Sequence, residues 1–394
     1  MLLRRCAILL FDSREKLSFD FETLISGGEG LRSQLSLLAL APHLGREVEV
    51  SPEEIALIST VSPTTWTSYD DLAERFSATL VDALLATGLL LKNDEDSNGW
   101  RALDEQFRAH HWWTPAAVAH YFGRWDQITS EEGSRGQGFR TMTELVEMLG
   151  APPPHIAEKV PREERLPLPR QTPDTFDEFL DSRVTCRNFD TGKPIPLALF
   201  STLIERVFGA RGSVEVRPDA TVIKRTSPSG GGLHPTEAYL LVQRVEGVAP
   251  GLYHYHPIDH ALEPLSLLAA EDLSAVMLRA VAGQEYYAEA HVMVILVSRF
   301  SRTFWKYRNH TKAYRVVVLD AGHLSQTLYL SATQAGLGAF VTGAINEVEI
   351  ETMFGLDRIE ESPVAVCGFG WRAANKQTVE FDPLQRVWPS QIDS

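Results

Sequence analysis

The residues best suited to chemistry lie in the second half of a 394-residue chain. Ser182-Arg-Val-Thr-Cys-Arg-Asn-Phe189 sets Arg183, Thr185 and Arg187 at alternate positions. In an extended or first-turn segment all three point one way. Two guanidinium forks with a hydroxyl between them suit a phosphate; a salt-bridged surface strand would use the same residues. Lys224-Arg-Thr-Ser-Pro-Ser-Gly-Gly-Gly-Leu-His-Pro235 runs three glycines together. Such a run lets backbone approach a flat ligand and offers amides to its heteroatoms, or simply makes a turn. Phe304-Trp-Lys-Tyr-Arg-Asn-His310 puts Lys306 beside Tyr307. A lysine next to a phenol in a partly apolar pocket lowers the phenol's pKa toward that of a useful general base. From the residues alone, packing at a helix entry with an exposed lysine is the simpler account. His254 and His256 alternate in Gly251-Leu-Tyr-His-Tyr-His-Pro257, but no third ligand is placed, so the segment reads as a hairpin strand and no metal is assigned. Phe340-Val-Thr-Gly-Ala-Ile345 and Gly368-Phe-Gly-Trp-Arg372 add a small-residue turn and an arginine after a glycine pair, parts that can complete a cofactor cradle.

These residues need elements to hold them. Helices are expected over Phe176–Asp181, Leu197–Phe208 and Lys312–Gln334; in the last, Val316, Val317, Asp320, Leu324, Leu328 and Ala332 recur at helical spacing and Gly336 ends the run. Strands are expected over Ala238–Gln243, His291–Ser298 and Val364–Gly368. The class is α+β. Seven prolines in residues 151–173 mark a semi-rigid linker. It separates residues 1–150 from residues 174–394. Before it, Ser51-Pro-Glu-Glu54 is a capping box with proline at the first helical position. Ser68 opens a second helix, and a third runs Ala78–Thr87 to a stop at Gly88. Leu89–Leu91 then reads as a strand. Three helices and a strand suggest a winged helix-turn-helix. The opening MLLRRCAILLF resembles a signal peptide only briefly: its apolar run ends at Phe11, charges follow, and a first strand is the better reading.

Composition narrows the class. There are 37 basic and 52 acidic residues, a net charge of -15. Residues 51–100 hold nine acids against two bases, the wrong sign for a DNA-recognition helix. Nucleic acid is therefore excluded as a partner, and a peptide-binding or purely supporting domain is expected. Cys6, Cys186 and Cys367 are scattered, without a CxxC pair, which fits a reducing cytoplasm and no disulfide framework. No apolar run approaches the length of a membrane span, so no membrane partner is expected.

Taken in order, the motifs resemble the nitroreductase superfamily of flavoproteins, and within it the peptide-modifying dehydrogenases of the SagB/McbC type. The resemblance rests on Arg183-x-Thr-x-Arg187, Ser227-Pro-Ser-Gly-Gly-Gly-Leu-His-Pro235, Gly251-Leu-Tyr-His-Tyr255, Lys306-Tyr307, Tyr314-Arg315, Asp320-Ala-Gly-His323 with Gln326, and Ala335-Gly-Leu337. It covers about residues 174–375. It implies an FMN-binding α+β sandwich, preceded by a smaller winged-helix-like domain similar in outline to leader-peptide recognition domains. It also implies a homodimer with flavin at the subunit interface. By position, Arg183, Thr185, Arg187 and Arg372 would hold the flavin phosphate. Pro228, Ser229 and Gly230 would lie against the ring, from the partner subunit, with Gln326 among the binding residues. Thr342 and Gly343 would face the hydride-accepting edge. Lys306 and Tyr307 match the pair that azoline oxidases use to remove a proton, which favours the catalytic reading of those two. Thr185 stands where the family usually has serine and keeps the hydroxyl. The implied activity is oxidation of azolines to azoles in a ribosomally made precursor peptide, with cyclodehydration left to a separate protein. Other peptide redox chemistry such as dehydroamino acid reduction, NAD(P)H-dependent nitro reduction, and a non-catalytic leader-binding scaffold are the alternatives.

Overall fold

The computed structural model describes residues 1–94, 98–133 and 142–389. It divides into two compact units: Met1–Arg124 with 298–319 and 356–362, and Trp125–Val297 with 320–355 and 363–394. This division departs from the one at the proline-rich segment. The physical reason in the first unit is an aromatic cluster. Trp112 and His120 pack against Phe300, Phe304 and Tyr314, with ring centroids 4.8 Å apart for Trp112 with both Phe300 and Phe304. Those rings draw residues 298–319 out of the second half of the sequence. In the second unit, Asn346 Nδ2 donates to Ile128 O and Trp125 N to Glu347, which draws in residues after 124. Residues 151–173 are exposed throughout and carry one short 3-10 turn, Arg162–Glu164.

The first unit contains strands β1 (Leu2–Arg5), β2 (Leu10–Phe19), β3 (Leu31–Ala41), β4 (Arg46–Glu49), β5 (Thr67–Ser68) and β6 (Leu90–Lys92). The expected first strand is thus two, β1 and β2. The capping box forms as read: Ser51 N donates to Glu54 Oε2 at 2.7 Å and Glu54 N to Ser51 Oγ at 3.1 Å, opening helix Pro52–Ser59. Helices Tyr69–Arg75 and Ala78–Thr87 follow their caps, Ser68 and Ser77. Gly88 ends the latter at φ 84°, where a Cβ would also fall 2.5 Å from the Trp100 ring. The order helix, helix, helix, strand is the expected one, but the small sheet runs β5-β1-β6, with the N-terminal strand at its centre. A second sheet, β2-β3-β4, was not legible in the sequence.

The second unit contains hairpin β7 (Gly212–Arg217) and β8 (Ala220–Lys224), then β9 (Thr236–Val242), β10 (Gly251–His256), β11 (Ala261–Leu267), β12 (Val292–Arg299), β13 (Leu337–Thr342) and β14 (Glu361–Trp371). The last six form one sheet in the order β11-β10-β9-β12-β14-β13. β12 reads as a continuous buried run because both of its faces are covered. Helix Leu197–Phe208 buries Phe200, Leu203, Ile204, Val207 and Phe208 against Leu240, Val242, Val292, Val294 and Phe369. From the long helix Ala313–Gln334, residues Ala321, Leu324, Leu328 and Ala332 enter the same core. The α+β class is as expected. No helix among the described residues is long and apolar enough to cross a membrane.

Candidate functional site

The arginine motif follows helix Thr175–Asp181 and lies along the edge of the sheet. Thr185 bridges in parallel to Ala339 of β13, and Cys186 N donates to Ala339 O at 2.8 Å. This extended pairing turns alternate side chains, Arg183, Thr185 and Arg187, the same way. Behind them stands Tyr329 of the long helix. Its hydroxyl lies 3.0 Å from Thr185 Oγ1 and accepts from Val341 N at 3.1 Å. Burial raises the Tyr329 pKa, so the phenol stays protonated. The Arg183 guanidinium lies 5.3 Å from the centre of the Tyr329 ring and has no hydrogen-bonded acceptor among the described residues. A half-buried guanidinium held on an aromatic face without an acceptor is suited to an anion.

Arg187 sits over Tyr286 at 5.6 Å and donates through Nη1 to Val379 O at 2.9 Å. Its neighbour Tyr287 stacks on Phe340 at 3.9 Å, and burial pushes that phenol up to about 12. A cleft of about 360 Å³ opens beside Arg187, Asn188, Tyr286, Gln377 and Thr378. Arg372 is committed to protein partners: Nη1 pairs with Glu380 and Nη2 donates to Val184 O at 2.9 Å.

At the end of β13, Thr342 exchanges hydrogen bonds with Gln284, whose Nε2 donates to its Oγ1 at 3.2 Å, and its hydroxyl accepts from Ala344 N. Gly343 follows with open space where a Cβ would stand. The glycine run is organised by the long helix. Asp320 accepts from Ser229 Oγ at 2.5 Å and from Gly230 N at 3.0 Å, and Ser227 Oγ lies 2.7 Å from Thr327 Oγ1. Gly231 and Gly232 take φ of 66° and 69°, which only glycine adopts freely. Pro228 lines the small recess formed there with Asp320 and Leu324. Gln326 is exposed on the same helix.

Thus Arg183 and Thr185 meet at Tyr329 beside β13, while Arg187 lies over Tyr286. Ser229 and Gly230 meet at Asp320, and Ser229 spends its hydroxyl on that carboxylate. Lys306 and Tyr307 belong to the first unit. They close helix Phe300–Lys306, with Lys306 Nζ 5.4 Å from the Tyr307 ring centre and Tyr307 packed against His310 at 6.1 Å. Sequence reasoning missed Tyr329, Gln284 and Glu380. Asp320 was visible within a motif but carried no role. His254 is an ion-pair bridge between Glu237 at 3.0 Å and Glu263 at 2.5 Å, on the flanking strands. No group of three such side chains among the described residues is arranged to hold a metal.

The donor set fits a flavin mononucleotide. It offers a guanidinium without an acceptor among the described residues, a second arginine and a hydroxyl for a phosphate, and glycines with open approach for a flat ring.

Residues 180–371 match the Nitroreductase family model. A trifolitoxin-processing protein, TfxB of Rhizobium leguminosarum bv. trifolii, is 28% identical over 208 residues, 50% of this chain and 54% of that one. The microcin B17-processing protein McbC of Escherichia coli is 30% identical over 159 residues, 39% of this chain and 56% of that one. A nitroreductase-named protein of Methanocaldococcus jannaschii, MJ1384, is 29% identical over 195 residues, 50% of this chain and 90% of that one. The chain spans about half the length of the two peptide-processing relatives. With the arginine motif docked on β13 and a match running from just before it to the end of β14, residues 180–371 are a nitroreductase-family domain.

Proposed function

We propose that the protein is an FMN-dependent dehydrogenase that oxidises azolines to azoles in a ribosomally synthesised peptide. The observation that carries the cofactor reading is the Arg183 guanidinium over Tyr329, without a hydrogen-bonded acceptor among the described residues and in line with Thr185 and Arg187. The two relatives named for processing trifolitoxin and microcin B17 support a peptide substrate.

In this reading Arg183, Thr185 and Arg187 hold the phosphate, and the Pro228–Gly230 turn, Gln326 and Thr342–Gly343 border the ring. Bound there, FMN would supply a two-electron acceptor that no side chain provides, with dioxygen as the terminal oxidant. Tyr307 takes the proton from the ring carbon next to the one that loses hydride, and Lys306 stabilises its phenolate. Proton and hydride leave adjacent carbons, so one double bond forms and the substrate loses two hydrogens. Residues 1–150 serve as the leader-peptide module, and the acidic stretch within residues 51–100 favours a peptide without strong negative charge. A separate cyclodehydratase makes the azoline, and the enzyme works as a homodimer.

Mass spectrometry of an azoline-bearing precursor tests the reaction. A loss of about 2 Da per ring marks dehydrogenation, and a gain of about 2 Da marks reduction. Lys306→Ala and Tyr307→Phe abolish turnover while the flavin stays bound; normal rates in both variants sink the base assignment. The 90% coverage of MJ1384 favours a second reading, nitro reduction with NAD(P)H. Turnover of a nitroarene with no change in peptide mass would select it.

A further inference from the structure

Glu380 is the least expected residue beside the arginine motif. Its side chain is fully buried. Oε1 accepts from Arg187 N at 2.5 Å, from Asn188 N at 3.0 Å and from Asn188 Nδ2 at 2.8 Å. Oε2 accepts from Trp388 Nε1 at 2.7 Å and pairs with Arg372. Asn188 fastens the same segment from the other side. Its Oδ1 accepts from Gln377 N and Thr378 N at 2.7 Å each, and its Nδ2 donates to Thr378 O at 2.8 Å. Asp382 folds the tail on itself by accepting from Val387 N and Trp388 N at 2.8 Å each, which returns the Trp388 indole to Glu380. Residues 377–388 are therefore a strap across the arginine motif, with Glu380 and Asn188 as its two clasps.

A buried carboxylate is tolerated only when its partners are complete and well placed. The partners of Glu380 are the backbone of Arg187 and Asn188, the side chains of Asn188 and Arg372, and Trp388 of the strap itself. The contact fixes the backbone that carries Arg187, and through Arg372 it fixes Val184, next to Arg183. It leaves the Arg183 guanidinium open.

We infer that Glu380 is a positioning residue for the phosphate ester held at Arg183, Thr185 and Arg187, and that the strap must be docked for that ester to bind. Arg372 is then a brace rather than a ligand. The inference rests on reading those three residues as the phosphate end of the flavin site.

The test compares FMN with riboflavin, which lacks the phosphate, on the full chain stripped of flavin. Affinities are read by quenching of flavin fluorescence in the wild type, Glu380→Gln and Asn188→Ala. In each variant the dissociation constant for FMN rises about tenfold, the scale of one lost charge-assisted contact, while that for riboflavin stays put. A strap that merely stabilised the fold would weaken both ligands alike. The sign in Glu380→Gln is decisive. Removing a negative charge near a phosphate by itself tightens binding, so weaker binding comes only from lost positioning. Tighter FMN binding would mean that the carboxylate competes for Arg372, and overturns the proposal. If Glu380→Gln does not fold, Asn188→Ala cuts the second clasp with no change of charge. An unchanged FMN preference in Asn188→Ala overturns the proposal as well. A wild type that binds riboflavin as well as FMN refutes the phosphate reading instead.

Discussion

Acid should unseat the helix that carries Lys306 and Tyr307, and the responsible group is His120. Its ring is buried, stacked on Trp112 and edge-on to Phe300 at 4.9 Å. Nδ1 lies 3.1 Å from the Tyr314 hydroxyl, and Nε2 is buried without a hydrogen-bond partner among the described residues. Protonation would therefore place a charge and an unanswered N–H among aromatic rings. Burial pulls the pKa of His120 from 6.5 down to about 3. Because the folded value is the lower one, the unfolded chain binds the extra proton between the two values. Stability then falls as pH drops from 6.5 toward 3. At pH 5 the gap amounts to about 2 kcal/mol relative to neutral pH, at 1.36 kcal/mol per unit. Urea denaturation followed by intrinsic fluorescence at pH 7 and pH 5 measures it. His120→Gln keeps a polar group for Tyr314 but does not titrate, so the pH-dependent part of its stability loss shrinks by about that amount. If wild type and variant lose the same stability between pH 7 and pH 5, His120 is not held neutral by burial and the reasoning fails.

Other groups give further checks. Tyr329→Phe keeps the ring under Arg183 but strips the acceptor from Val341 N and the partner from Thr185. It should cost about 1–3 kcal/mol of stability in urea melts while weakening FMN only modestly, whereas Tyr329→Ala removes the aromatic platform and should release FMN. His254 titrates the opposite way. Hydrogen bonds that its ring donates to Glu237 and Glu263 raise its pKa, so its stabilising charge is fully present below the ordinary histidine value and is lost as pH climbs through the raised one. His254→Asn should flatten the decline in melting temperature on the alkaline side of pH 6.5; an unchanged decline would show that the carboxylates do not hold the proton. Asp320→Asn should loosen the Ser229–Gly230 turn, read as faster proteolysis within residues 227–235, and equal protection in the variant would show that the turn stands without Asp320.

Local signals carried well from sequence to structure where a residue's own backbone imposes the result. The Ser51–Glu54 capping box, the stop at Gly88 and the helix Leu197–Phe208 are set by caps and by 3.6-residue spacing within one segment. The β2–β3 ribbon was missed because its tip alternates poorly and leaves Leu17, Phe19, Leu31 and Leu35 exposed, so hydrophobicity did not mark a buried face. The alternation of Arg183, Thr185 and Arg187 pointed to a common face, and pairing with Ala339 provides it. Arg183 and Thr185 face Tyr329, 144 residues from Thr185 in the chain, and Arg187 faces Tyr286; no spacing rule reaches that far. The same distance hid the compact division: Phe300 and Phe304 read as part of the second half, yet their burial is decided by Trp112 and His120.

Net charge misleads about this site for a related reason. A chain at -15 repels polyanions at long range, but beyond about 8 Å at physiological salt exposed charges are largely screened. Within that radius the balance is set by which side chains the fold ties together. The buried carboxylate of Glu380 accepts from the Arg187 backbone amide and pairs with the Arg372 guanidinium, and Arg183 sits one residue from the Val184 carbonyl that Arg372 holds. The Arg183 guanidinium, with no hydrogen-bonded acceptor among the described residues, is the charge left open there, and a phosphate monoester brings about −1.5 to −2 near neutral pH. Net charge therefore describes the surface at long range, while Glu380 and Arg372 pair within the strap and leave the Arg183 guanidinium open.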